Sequence, residues 1–182
     1  MTRDVLELLL HPVRIRIVRA FSGGRTRTTA ELCSRLPDVS QASVYRNVAL
    51  LTEAGVLQVV DQQAVRGAIE RHYRLDRDRA RIDHDAAAQM TPEDHRRAFT
   101  AAMAALIADF GAYLDTDAAN PARDQVAYRQ IPLWLTNKER EQLVALLQNG
   151  LKSSMDNTPG PHRRHYLLSP ILFPISEGNS SH

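Results

Sequence analysis

A chain of 182 residues can hold one large domain or two small ones, and 43% hydrophobic and 24% charged residues describe an ordinary globular protein, neither disordered nor membrane-embedded. The net charge of +2 is unevenly divided: residues 1–75 carry eleven arginines, no lysine and seven carboxylates, a surplus of +4, while residues 76–182 are acidic by 2. That asymmetry points to a nucleic-acid-facing module joined to something else. A single cysteine, Cys33, excludes a disulfide framework and a four-cysteine zinc site and implies a reducing, cytoplasmic setting.

Residues 4–10 form a short leading helix with Val5, Leu6, Leu9 and Leu10 apolar. Arg14, Arg16 and Arg19 interrupt the apolar N-terminus, so it is no signal peptide, and no run matches the ~18–20 apolar residues of a spanning helix. Pro12 opens a second helix through Phe21, with Val13, Ile17, Val18 and Phe21 as its buried stripe, and Gly23–Gly24 stop it. Thr28 and Glu31 then stand at capping-box spacing, starting a helix that buries Leu32, Cys33 and Leu36. Pro37 breaks that helix and Ser40 caps the next, which runs to Gly55. A connection of about four residues is the length of a helix-turn-helix.

In the helix after Ser40, the i, i+4, i+7 spacing puts Val44, Val48 and Leu51 on one face. Opposite lie Ala42, Ser43, Arg46, Ala49 and Glu53, flanked by Gln41 and Tyr45. Leu50 falls on this polar half, where a basic residue is expected. Beyond Gly55 the period changes from 3.6 to 2. Residues 56–62 and 68–75 read as a two-stranded hairpin with its tip near Arg66–Gly67. Three helices followed by a hairpin is the order of a winged helix-turn-helix.

Residues 76–90 are a charged linker. Thr91, Pro92 and Glu93 start a long helix to about Leu114, along which Phe99, Met103, Leu106 and Phe110 make a narrow seam. That seam, together with Val5 and Leu9, is assigned to dimerisation. Two further strands are expected at 126–135 and 164–175, each interrupted by proline, with a helix between them that starts at a Thr136–Glu139 box and stops at Gly150. The expected fold class is α+β and mostly helical: a winged helix-turn-helix at 1–75, the linker at 76–90, and a C-terminal α+β region at 91–182 for dimerisation and signal reception.

In such a module the second helix of the pair enters the major groove. Small residues at its leading end, Ser40, Ala42 and Ser43, permit close approach. Gln41 pairs bidentately with adenine, Arg46 with guanine or phosphate, and Tyr45 stacks on a thymine methyl or bonds a phosphate. Arg66 at the hairpin tip suits the minor groove, with Arg71 and Arg74 behind it. Arg25, Arg27 and Thr29 lie where they can reach phosphate. The chain as a whole is expected to bind double-stranded DNA as a homodimer and to have no membrane partner. The rival is a winged helix used only as a protein-interaction module.

The stretches "HPVRIRIVRAF", "TTAELCSRL", "SQASVYRNVALLTEAGVL" and "RHYRL", in that order, resemble the winged-helix regulators of the ArsR-like class. They are most similar to its larger members, which carry an added C-terminal region. The resemblance covers roughly residues 5–75. It implies a homodimeric transcription factor on an inverted-repeat operator, often a repressor released by a signal. It also implies that Gln41, Ser43, Tyr45 and Arg46 face DNA.

The metal-sensing branch is not matched, because Cys33 is alone on a core stripe. His84 with Asp83 and Asp85 lies in the linker, and His162 and His165 sit among positive charges that repel a cation. No cofactor is therefore expected. Glycine-rich phosphate loops, nucleophile elbows and His-Glu helical motifs are all missing, so no enzyme is expected either. Aromatics of the C-terminal half, Phe99, Phe110, Tyr113, Tyr128, Trp134, Tyr166 and Phe173, read as core, with a pocket for a small-molecule effector as the alternative.

Overall fold

The computed structural model describes residues 3–65, 67–80, 87–155 and 157–175, which form six helices and one three-stranded antiparallel sheet, an α+β arrangement. Helix α1 (Arg3–Leu9) leads into α2 (Pro12–Ala20), whose N-cap is His11; its ring nitrogen Nδ1 accepts a hydrogen bond from the Val13 amide at 3.2 Å. Strand β1 (Arg27–Thr28) runs directly into α3 (Thr29–Arg35). The capping box forms as its spacing demands: Thr28 Oγ1 accepts from the Glu31 amide at 3.2 Å, and the Thr28 amide donates to the Glu31 carboxylate at 3.0 Å. Helix α4 (Gln41–Glu53) follows after a five-residue turn, capped by Ser40 Oγ, which accepts from the Ser43 amide.

Strands β2 (Leu57–Val65) and β3 (Ala68–Leu75) make the hairpin, in register from Leu57 opposite Leu75 to Val65 opposite Ala68, with a bulge between Val59 and Asp61. Gly67, at φ +84°, takes the left-handed position that a tight hairpin turn requires. β3 also pairs with β1, Arg27 opposite Tyr73 and Thr28 opposite His72. This strand was not expected; two residues carry no periodicity to detect. Residues of α1 to α4 and the base of the hairpin build one core from Leu9, Ile17, Phe21, Leu32, Leu36, Val44, Val48, Leu51, Val56, Leu57 and Tyr73.

The chain leaves α4 through Gly55, held at φ +70° where a side chain is strained. A Cβ there meets only the mobile end of Arg79, so backbone strain dominates. Gly55→Ala is expected to lower the unfolding free energy by about 1–2 kcal/mol in urea denaturation. An unchanged midpoint would show that the turn relaxes.

Beyond the hairpin, α5 (Pro92–Leu114) starts at a capping box that Thr91 makes with Asp94. It packs on α2 through Ala101 and Ala105, small residues that allow close approach. One 18-residue window within its 23 residues has a mean hydropathy of 1.2, enough by length and composition alone to cross a membrane, where no such segment was expected. Asp109 in its last third, however, is ion-paired to two arginines of α2.

The C-terminal half departs from expectation in two ways. The segments 126–135 and 164–175 form no strand. Pro132, Pro170 and Pro174 remove donors, and no strand partner lies beside them among the described residues. Helix α6 (Asn137–Met155) does not stop at Gly150 but passes through it, because the apolar stripe Leu143, Val144, Leu147, Leu151 continues and one glycine costs a helix only about 1 kcal/mol. Its Thr136–Glu139 box does form.

Candidate nucleic-acid interface

Helix α4 is held from one side only. Val44, Val48 and Leu51 are fully buried, and Asn47 joins them, its Nδ2 donating to the Ser43 carbonyl at 2.8 Å. The sequence reading had not placed Asn47. An asparagine one turn after a capping serine is buried by satisfying its amide on the helix's own backbone. Gln41, Ala42, Tyr45, Arg46 and Ala49 are exposed, Tyr45 to 56%, and Ser43 is half-buried. Ser40, although exposed, spends its hydroxyl on the cap. Leu50 is exposed as well. Gln41 and Tyr45 form one wall of a shallow groove whose other wall is Ala30, Cys33 and Ser34 of α3.

On the other flank α2 adds charge. Burial depresses the pKa of His11 below 6.5, and the nearby positive charges of Arg14 and Arg46 depress it further. Since His11 Nδ1 accepts from Val13, the neutral ring carries its proton on Nε2 and is a donor there. The pKa of Arg14 is lowered by burial, and its Nε has no hydrogen-bond partner among the described residues. Arg46, His11 and Arg14 therefore form a basic cluster at the start of α2 that no spacing in the sequence announces.

The remaining expected residues are dispersed. Thr29 is buried (8% exposed), so little of its side chain faces outward. Arg27 is a correction: it is buried too, and its Nε donates to the Ala20 carbonyl at 2.7 Å, tying β1 to the end of α2 instead of reaching for phosphate. Arg71 is exposed on β3, opposite Gln62. Arg66 lies outside the described residues, as do His84, Asp83 and Asp85 of the linker. Among the described residues no cluster of His, Cys, Asp and Glu could hold a metal ion. Cys33 is half-buried against the core.

Of the residues assigned to dimerisation, Leu9 is part of the chain's own core, and the side chain of Val5 lies outside the described residues. Phe99, Met103, Leu106 and Phe110 are only partly covered, Phe99 remaining 48% exposed.

One link joins this surface to the rest of the molecule. Arg16, buried in α2, holds Asp38 with both Nη atoms at 2.6 and 2.8 Å and donates from Nε to Asp109 of α5 at 2.6 Å. Arg19 adds a second contact to Asp109 at 2.9 Å. The turn that sets the direction of α4 is thereby fastened to α5.

A family model described as a helix-turn-helix domain matches residues 9–60, which span α2, α3, α4 and the start of β2. No curated protein matches the chain. The family match supports a DNA-binding regulator of transcription, a class that is typically non-enzymatic.

Proposed function

We propose that the chain is a sequence-specific transcriptional regulator of the ArsR-like winged type, a repressor that acts as a cytoplasmic homodimer on an inverted-repeat operator. Its DNA-binding domain is 1–75, its linker 76–90, and its dimerisation and effector region 91–182. The observation that carries this reading is α4, an externally mounted helix whose inward face is wholly consumed by the core while Gln41, Ala42, Tyr45 and Arg46 stay free. Those side chains select bases in the major groove, with Ser43 and Ser40 at the close approach. Arg14 and His11 hold the phosphates, and the hairpin places Arg66 and Arg71 against the neighbouring backbone or minor groove. Phe99, Met103, Leu106 and Phe110 of α5 pair the two copies, setting the recognition helices about one DNA turn, ~34 Å, apart.

The test selects an operator from a random duplex library and then measures affinity for it and for random duplex by fluorescence anisotropy. Arg46→Ala and Tyr45→Ala are each expected to cost about 1–3 kcal/mol on the selected operator and much less on random duplex. Equal losses on both would reduce these residues to backbone contacts. Log affinity is expected to fall linearly with log salt. No binding to any duplex at low salt would overturn the proposal in favour of a protein-interaction module.

A further inference from the structure

Helix α4 is fixed by different groups at its two ends. Its trailing end is pinned. Leu51 and Val56 are fully buried there, and Arg79, just beyond β3, donates from Nη1 to the carbonyl of the C-cap residue Ala54 at 3.2 Å. A cation at this place satisfies an acceptor that has no partner inside the helix and opposes the negative end of its dipole. Asp76 stiffens the turn that carries Arg79, accepting from the Arg79 amide at 3.1 Å and from Gln58 Nε2 at 2.9 Å. The leading end takes its direction from the turn before it, where Asp38 stands two residues ahead of the Ser40 cap.

That turn is steered from α2, which packs against both α4 and α5. The Arg16 side chain is only 3% exposed, and all three of its nitrogens are committed: Nη1 and Nη2 to the two oxygens of Asp38, Nε to Asp109 of α5. A guanidinium is planar and its donors form a rigid fork. Its edges therefore cannot be redirected separately. Turning the Nε edge to follow a displaced Asp109 also turns the edge that holds Asp38. Asp109 in turn is set against α2 by both of its oxygens, one on Arg16 at 2.6 Å and the other on Arg19, one turn further along, at 2.9 Å.

From this geometry we infer that Arg16 and Asp109 are positioning residues for α4: the seat of α5 on α2 sets where the leading turn of α4 points. A displacement of α5 swings Gln41, Ala42 and Tyr45 about the pinned end at Ala54. The region beyond the hairpin thereby gains control of the exposed face of α4 without touching it. An ion pair that only added stability would join α5 to α2 whatever the direction of α4; the two-pronged hold on Asp38 is what brings the pose of α4 into the linkage. The regulatory consequence rests on the proposed function, whereas the coupling between α5 and α4 does not.

Hydrogen exchange on the full-length protein reads the pose without DNA. Asp109→Ala is expected to speed exchange of the Val44 amide, in the leading turn, several-fold more than that of the Ala54 amide at the pinned end. In an Asp38→Ala background the same substitution is expected to add less than about twofold, because the fork no longer holds the turn. Asp109→Asn, which keeps an acceptor, is expected to act in the same direction and less strongly, so the test does not hang on the alanine variant folding fully. On a selected operator, Asp109→Ala is expected to lower affinity about tenfold and to leave random-duplex affinity within about twofold. Any of three results would overturn the inference: equal acceleration at Val44 and Ala54; an Asp109→Ala effect that persists undiminished in the Asp38→Ala background; or unchanged operator affinity despite faster Val44 exchange. A wild-type chain that binds no duplex removes the regulator reading alone, and the exchange results still decide the coupling.

Discussion

Replacing Arg16 with methionine is expected to lower the unfolding free energy by about 3 kcal/mol, the low end for breaking a buried ion pair from one side. Methionine retains much of the stem's apolar packing but leaves Asp38 and Asp109 without their shared cation. Both carboxylates are partly exposed, which lets water recover some of the loss. Asp109→Asn is expected to cost less, about 1 kcal/mol, because Arg16 keeps its two-pronged hold on Asp38. Urea denaturation at neutral pH checks both, and an Arg16→Met loss below about 1 kcal/mol would show that the network contributes no net stability.

Acid supplies an independent check. The Arg16 hydrogen bonds hold the Asp38 carboxyl below its ordinary 3.8. A carboxyl whose folded pKa is depressed contributes stability that is complete above its unfolded value and disappears as pH falls through the folded one. The gap between wild type and Arg16→Met is therefore expected to hold steady down to about pH 5 and to narrow below about pH 4. A gap that widens in acid would contradict this assignment.

Adjacent leucines on α4 provide the second large contrast. Leu51→Ala is expected to cost about 2–5 kcal/mol, because Leu51 is 0% exposed at the centre of the core and its removal leaves a cavity. Leu50→Ala, one residue earlier and exposed, is expected to stay within about 0.5 kcal/mol. Thermal and urea unfolding of the two variants compare the faces of the helix directly. Equal costs would mean that α4 is seated differently, and the surface assigned to DNA would move with it.

The helices were legible because their starts are chemical. Thr28 with Glu31, Ser40, Thr91 and Thr136 with Glu139 satisfy amides that have no partner inside a helix, and each leaves a mark at fixed spacing. The exposed face of α4 was legible for the related reason that Val44, Val48 and Leu51 claim one face of the helix and leave the other. What could not be seen depends on contacts distant in sequence. Arg16 looks like an interruption of an apolar stretch, yet its partners lie 22 and 93 residues away. Arg27 looks like a free cation before a helix and is consumed by the Ala20 carbonyl. His11 and Arg14 become a basic cluster only when α2 is laid beside α4. The apolar runs in 126–135 and 164–175 are real, but such a run specifies a strand only if another strand is at hand to pair with it.

Thr28 has two duties. Its position in β1 pairs with His72 of the hairpin, while its hydroxyl closes the first turn of α3. The wing and the helix-turn-helix are therefore also tied together at β1, as two limbs of one bracket. On the proposed function, a duplex would meet both limbs at one fixed phase. Inserting a base pair between the two proposed contact regions is therefore expected to weaken binding, since the bracket holds its limbs at a set spacing.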